Sequence, residues 1–283
     1  MPKDAWSLKN GVAAITGAGS GIGAALAVEL ARRGMHLAIA DRNAAGLEAT
    51  ADRARKAGAT VSTHVFDVTD RAVVAGWPQA VLAQHGRVTV LVNNAGIAVG
   101  GTFEQVDAAD FDQLMEINFA APVRLVRAFL PVLAREPAAQ VVNVSSIFGI
   151  IAPPGQTAYC ASKFALRGFS ESLRHELAMA ASPVGVTVVH PGGVRTAIAS
   201  SARIPRGATP AQIAQQQEAW KHMLVLAPED AARSIADAIA QRAPRVLVGK
   251  DAEQAAFLQR IMPVGYWKVV AQGIARRTGR SPA

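Results

Sequence analysis

The run Val12-Ala13-Ala14-Ile15-Thr16, followed at once by Gly17-Ala18-Gly19-Ser20-Gly21-Ile22-Gly23, settles how this 283-residue chain is read. Five mostly apolar residues ending at a glycine read as a buried strand, and the Ala- and Leu-rich stretch beyond them reads as a helix near 22–33. The glycines between let backbone amides approach a pyrophosphate closely, and the helix start presents unpaired N–H groups and a positive dipole to it. Asp41 stands eighteen residues past Gly23, at the end of a second apolar run, where a dinucleotide site places the acid that meets its ribose. Strand, loop, helix, strand and acid in that order predict a bound dinucleotide.

The same alternation continues outward. Strands are expected at Val12–Thr16, His36–Ala40, Val61–Phe66, Val88–Val92, Gln140–Val144, Val186–His190 and Arg245–Val248, and helices near 22–33, 44–57, 71–85, 108–134, 157–181 and 229–241. That rhythm predicts an α/β fold in one domain over residues 1–250, a doubly wound parallel sheet with helices on both faces. Hydrophobic residues make up 51% and charged residues 18%, which excludes a disordered chain. Residues 197–226 break the rhythm with Pro205, Gly207 and Pro210 and a Gln-rich stretch, and read as a lid over a site. Residues 251–283 form a basic extension expected to pack on the domain or on a partner subunit; covering the pocket or resting on a membrane surface are its other readings.

With one cysteine, Cys160, no internal disulfide forms, and the six histidines have no ligand spacing, so no metal site is expected. The first ten residues lack the apolar run of a signal peptide and no stretch is apolar enough to span a bilayer, so a soluble, cytoplasmic protein is expected. The formal charge of +8 sits largely in the tail, where Arg260, Lys268, Arg276, Arg277 and Arg280 meet no acid. Aromatic residues do not interleave with these cations, which argues against nucleic acid as a partner.

Tyr159 and Lys163 are four residues apart, so on a helix the phenol and the ammonium share a face, and Ser146 lies thirteen residues earlier at the end of a strand-like run. A free tyrosine has a pKa of about 10, and bringing it near 7 takes about 4 kcal/mol. One positive charge about 4 Å away supplies roughly that much at an effective dielectric of about 20. A phenol so tuned is a general acid and base, and a serine beside it is a hydrogen-bond donor to a substrate oxygen.

Thr16-Gly17 through Gly23, Asn93-Asn94-Ala95-Gly96, Asn118, Ser146, Tyr159 with Lys163, and Pro191-Gly192, in that order, resemble the short-chain dehydrogenase/reductase family over nearly the whole chain. The resemblance implies a single Rossmann-like domain with a seven-stranded sheet and a homotetramer or homodimer. It assigns Gly17, Gly19, Ser20, Gly21, Ile22 and Gly23 to the pyrophosphate loop and Asp41 and Arg42 to the ribose. Asp67 and Val68 go to the adenine, Asn94, Ala95 and Gly96 to the adenosine side, and Pro191, Gly192, Val194 and Thr196 to the nicotinamide end, with Tyr159 and Lys163 also touching cofactor. It implies that Tyr159 is the acid and base, that Lys163 lowers its pKa and holds the nicotinamide ribose, that Ser146 binds the substrate oxygen, and that Asn118 joins a water-linked proton relay. Asp41 repels the extra phosphate of NADP, so NAD is expected, with NADP possible through Arg42. Ile97, Ile147, Phe148 and Trp220 form an apolar wall that suits a lipophilic secondary alcohol or ketone. The other readings of the same residues are a nicotinamide-dependent epimerase or dehydratase, and a dinucleotide-binding regulator without turnover.

Overall fold

A computed structural model of the chain describes residues 6–196, 198, 207, 209, 218 and 223–278. Its strands are β1 Val12–Thr16, β2 His36–Asp41, β3 Val61–Val65, β4 Val90–Asn93, β5 Ala139–Val144, β6 Val184–Pro191 and β7 Arg245–Val248. The helices are α1 Gly21–Arg32, α2 Ala44–Lys56, α3 Arg71–His85, α4 Ala108–Met115, α5 Ala121–Leu133 and α6 Thr157–Met179, then α7 Pro228–Ala240, α8 Lys250–Ile261 and α9 Tyr266–Thr278. Every neighbouring pair of strands is parallel, in the order β3-β2-β1-β4-β5-β6-β7. This is the doubly wound, seven-stranded Rossmann-like sheet that the alternation and the resemblance imply.

The chain winds outward from β1 through β2 and β3, then returns to the other side of β1 at β4. At such a reversal the loops leaving two adjacent strands diverge and open a crevice at the carboxyl end of the sheet. Here those loops follow Thr16 and Asn93.

Burial on both faces explains why the strands read as apolar runs rather than alternating ones. Along β1, Ala13 and Ile15 enter the core under α1, α2 and α7 with Leu26, Leu30, Leu47 and Ile235. Val12 and Ala14 point the other way, into a core with Trp77 of α3 and Leu125 and Phe129 of α5. Trp77 meets Phe129 edge-on, 5.1 Å between ring centres.

The single helix expected over 108–134 is two, α4 and α5, joined by a π turn at Glu116–Ala120. Apolar periodicity runs through the join and hides it. A π turn adds a residue without ending the helix, and such turns gather at functional sites. β6 begins at Val184 rather than Val186, because Val184 and Gly185 already pair with Ala139 and Gln140. The glycine had weakened the strand signal there. β4 is displaced the opposite way: it begins at Val90 rather than Val88 and ends on Asn93.

Beyond β7, α8 lays Ala252 and Ala256 against Ile147, Ile150 and Ile151. Its Phe257 and Ile261 are exposed, as is Val264 in the turn before α9. Among the described residues no helix is long and apolar enough to cross a membrane, and no cluster of histidine, cysteine or acidic side chains could hold a metal.

Candidate active site

The glycine loop is shaped by its neighbours. Gly17 (φ 66°) lies so close to the loop after β4 that an added Cβ would meet Ala95 Cα and Asn94 Nδ2, both at 2.8 Å. Gly21 (φ 55°) would bring a Cβ to 3.1 Å from Thr196. Both positions therefore need glycine for conformation as well as for space. Ser20 caps α1 with extended backbone and no side-chain hydrogen bond, so no capping side chain occupies the first amides of the helix. Those amides and the helix dipole suit an anion.

Two of the assigned glycines act differently. Gly23 is packed against the Gly17 carbonyl and the Asn94 amide, and Gly19 lies against the carboxylate of Asp41. Neither lines the cleft; they let α1 and Asp41 approach the loop. Asn94 borders the cleft, as expected of a residue on the adenosine side, and its side chain has a second task. Its side-chain amide donates to the carbonyls of Thr16 and Gly17, 3.0 Å each, and its backbone N–H donates to Thr16 Oγ1 at 3.1 Å. The side chain fastens the glycine loop to the loop after β4.

Asp41 ends β2 with its carboxylate held by two backbone donors, Gly19 N–H at 2.8 Å and Asn43 N–H at 2.9 Å. It is thus fixed in the cleft wall, next to the exposed Arg42. Asp67 accepts from Thr69 N–H and Thr69 Oγ1, both at 2.8 Å, a local turn that leaves the cap of α3 to Asp70.

At the other end of the cleft stand Ser146, Tyr159 and Lys163. The Ser146 hydroxyl lies near enough to the Tyr159 phenol to pull its pKa down. One helical turn on, Lys163 Nζ lies 5.6 Å from the Tyr159 ring centre and donates to the Val144 carbonyl at 3.0 Å. The spacing did bring phenol and ammonium together. Their acidities are another matter. Burial pushes the phenol up to about 12, against a downward pull from the Ser146 hydroxyl, with Cys160 adding a small push up. Burial also brings the Lys163 ammonium down to about 8. Desolvation is the largest influence on both groups and acts against the attraction that the spacing suggests.

Ser145 is separated from its neighbour by its own bond: its hydroxyl donates to the Lys163 carbonyl at 2.9 Å, deep in the fold. Ser146 Oγ accepts from Phe148 N–H at 3.1 Å. The Ser146 carbonyl accepts from Nδ1–H of His190, a fully buried imidazole that burial holds down at about 4 and therefore neutral. Asn118, in the π turn, has its amide fully engaged: it exchanges hydrogen bonds with both backbone groups of Ile97 (2.9 and 3.0 Å) and donates to Ser162 Oγ at 3.2 Å. Its side chain braces the strand-end loop and does not line the cleft, so a relay water would have to be met by its remaining oxygen lone pairs. A Cβ on Gly96 would come within 3.1 Å of Asn118 Oδ1 and 3.6 Å of Lys163 Nζ, so the glycine leaves the cleft open at that point.

These groups share one continuous cleft of about 780 Å³. Gly17, Ser20, Gly21, Ile22, Asp41, Arg42, Asp67, Val68, Ala95 and Gly96 line its first part; Pro191, Gly192, Val194 and Thr196 edge the middle; Ile97, Ser146, Ile147, Phe148, Tyr159 and Lys163 line the far part. A backbone cradle without side chains, a helix start with free donors and a fixed carboxylate fit a dinucleotide. Trp220 and most of the expected lid lie outside the described residues; Ile198, Met223 and Leu224 of that segment border the cleft. The sequence reading missed Asp251, Trp267 and Val270, all in the C-terminal extension and all lining the cleft. Cys160 is buried, and burial raises its thiol to about 12, which suits packing and not nucleophilic chemistry.

Residues 11–206 match the short chain dehydrogenase family. SadH of Mycobacterium tuberculosis is 40% identical over 270 residues, spanning 95% of this chain and 97% of its own length. A short chain dehydrogenase/reductase from Burkholderia phymatum, solved in complex with NAD, superposes with a TM-score of 0.81 at 31% identity and covers 98% of both chains. A metagenomic short-chain oxidoreductase solved in complex with NADP gives a TM-score of 0.68 at 32% identity, over 86% of this chain and 98% of that one.

Proposed function

The chain belongs to the short chain dehydrogenase family, and on that footing we propose that it is an NAD-preferring oxidoreductase acting on lipophilic secondary alcohols and their ketones. The observation that carries this reading is the meeting, in one cleft, of the Tyr159 phenol and the Ser146 hydroxyl, a buried ammonium 5.6 Å from the phenol ring, and a glycine loop running into a free helix start.

Gly17, Gly21 and the first amides of α1 would hold the pyrophosphate, Asp41 the adenosine ribose hydroxyls, and Val194 and Thr196 the carboxamide end. Bound there, the cofactor supplies the hydride donor or acceptor and, when oxidised, a positive charge. Ser146 donates a hydrogen bond to the substrate oxygen as charge develops on it. In reduction Tyr159 delivers its proton to that oxygen; a phenol kept neutral at pH 7 by burial is ready for this direction. In oxidation Tyr159 takes the alcohol proton, and the nearby Lys163 charge favours the phenolate this requires. Neutral His190 holds the Ser146 backbone in place without adding charge to the site.

Preference for NAD rests on Asp41. Two backbone N–H groups pin its carboxylate, so it does not swing aside to leave Arg42 free for a phosphate. The apolar walls supplied by Ile97, Ile147, Phe148, Ile151 and Leu224 favour a lipophilic substrate over a sugar, which needs many hydrogen-bonding side chains. Assembly as a homotetramer or homodimer is part of the same reading, and light scattering on the purified protein measures it.

Tyr159→Phe tests the reaction. Nicotinamide absorbance with a panel of ketones and alcohols should show turnover reduced by a factor of about 10² or more. NAD affinity by calorimetry should change little. Full activity in this variant would remove Tyr159 as the acid and base, and a higher kcat/KM with NADP than with NAD in the unaltered protein would remove the Asp41 argument.

A further inference from the structure

The C-terminal extension enters the cleft at two places, and each is tied down by a hydrogen bond. At the start of α8, Asp251 accepts from Gly193 N–H at 2.6 Å and borders the cleft beside Gly192. Gly192 tolerates this because a Cβ there would overlap the Asp251 carboxylate. At the start of α9, the Tyr266 hydroxyl accepts from Ala152 N–H at 2.7 Å. Ala152 belongs to the segment between Ser146 and Tyr159, and the Tyr266 ring packs with Ile147, Ile150 and Ile151. Phe148 in that segment stands edge-on to Tyr159, 6.2 Å between ring centres.

Tyr266 therefore fixes where its successor lies. Trp267 and Val270, one turn apart on α9, border the cleft with Ile151, Phe148, Pro153 and Pro154. An indole offers one of the largest apolar contact areas of any side chain, and here it is anchored by its neighbour and only partly covered by protein. We propose that the α8–α9 hairpin is a wall of the substrate pocket and that Trp267 is a specificity-determining residue, contacting the far end of a long apolar group on the carbonyl carbon. This rests on the reaction proposed above. A short ketone bound between Ser146 and Tyr159 ends before reaching the indole, whereas a chain of six or so carbons lies against it. Tyr266, which touches no substrate in this arrangement, is the positioning residue.

The test compares butanone with 2-octanone under reduced nicotinamide for the full-length protein, Trp267→Ala and Trp267→Phe. In Trp267→Ala the ratio of kcat/KM for 2-octanone over butanone should fall about tenfold, mostly through KM, as expected for loss of apolar contact to several methylenes. Trp267→Phe keeps a ring and should lower the ratio only about two- to threefold; it also serves as the measurement should the alanine variant fail to fold. A ratio within experimental error of the unaltered protein in the folded variants overturns the proposal. Absence of turnover with both ketones, and with 2-butanol and 2-octanol under oxidised nicotinamide, in the unaltered protein would instead overturn the reaction itself, so the two failures are distinct.

Discussion

Replacing Lys163 with methionine should make the folded protein more stable at neutral pH while removing its activity. Lys163 is 3% exposed, and burial lowers its ammonium from the 10.5 of a free lysine to about 8. That shift corresponds to about 3 kcal/mol held against the charged form in the folded state. The folded pKa lies below the unfolded one, so the penalty is complete below about pH 8, shrinks as pH rises from about 8 towards 10.5, and is gone above that. Methionine keeps most of the aliphatic stem and carries no charge. It leaves the Val144 carbonyl without the donor now at 3.0 Å, which costs about 1 kcal/mol. The net gain is about 2 kcal/mol at pH 7, falling through zero as pH approaches 10. Urea unfolding of both proteins at each pH unit from 6 to 10, at one protein concentration, reads this directly from midpoints at unchanged slope. A variant less stable by the same amount at every pH would refute the reasoning, because it would mean that folding leaves the Lys163 pKa unshifted and that burial does not oppose its charge. Loss of turnover together with a gain in stability would mark the lysine as retained for chemistry.

Gly23→Ala should weaken NAD binding tenfold or more in calorimetry and lower stability by about 1–3 kcal/mol, since its methyl overlaps the Gly17 carbonyl and the Asn94 amide; near-normal binding would mean that the loop yields easily. Alcohol oxidation should accelerate as pH rises from 7 towards 12 while carbonyl reduction stays level up to about pH 10, because burial keeps the Tyr159 phenol neutral over that range; pH profiles of kcat/KM in both directions measure this, and a reduction rate that falls between pH 7 and 9 would contradict it.

The parts of this site that were legible in the sequence are those encoded by local spacing. A strand ending at Thr16 with glycines after it, and a phenol and a lysine one turn apart, carry their geometry in the numbering itself, because a strand end and a helical turn fix where the next few residues go. What escaped depends on approach between distant segments. Asp251 meets Gly193 across 58 positions and Tyr266 meets Ala152 across 114, and nothing at either end announces the other. Asn94 borders the cleft, and its amide also closes two carbonyls 77 and 78 positions away; an asparagine at a strand end reads the same with or without that second task. The π turn at Asn118 left the apolar period intact and so left no trace. The burial around Tyr159 is hidden from the sequence for a related reason. Sequence distance gives the attraction between two charges one turn apart, but desolvation is set by everything that packs around them, from Val144 under Lys163 to Phe148 beside the phenol ring. Burial opposes both the phenolate and the ammonium, yet at neutral pH the phenol stays neutral while the ammonium, at about 8, keeps its charge. The braces fix the backbone on which that pair stands: His190 holds the Ser146 carbonyl, Ser145 holds the Lys163 carbonyl, and Tyr266 holds the segment between Ser146 and Tyr159.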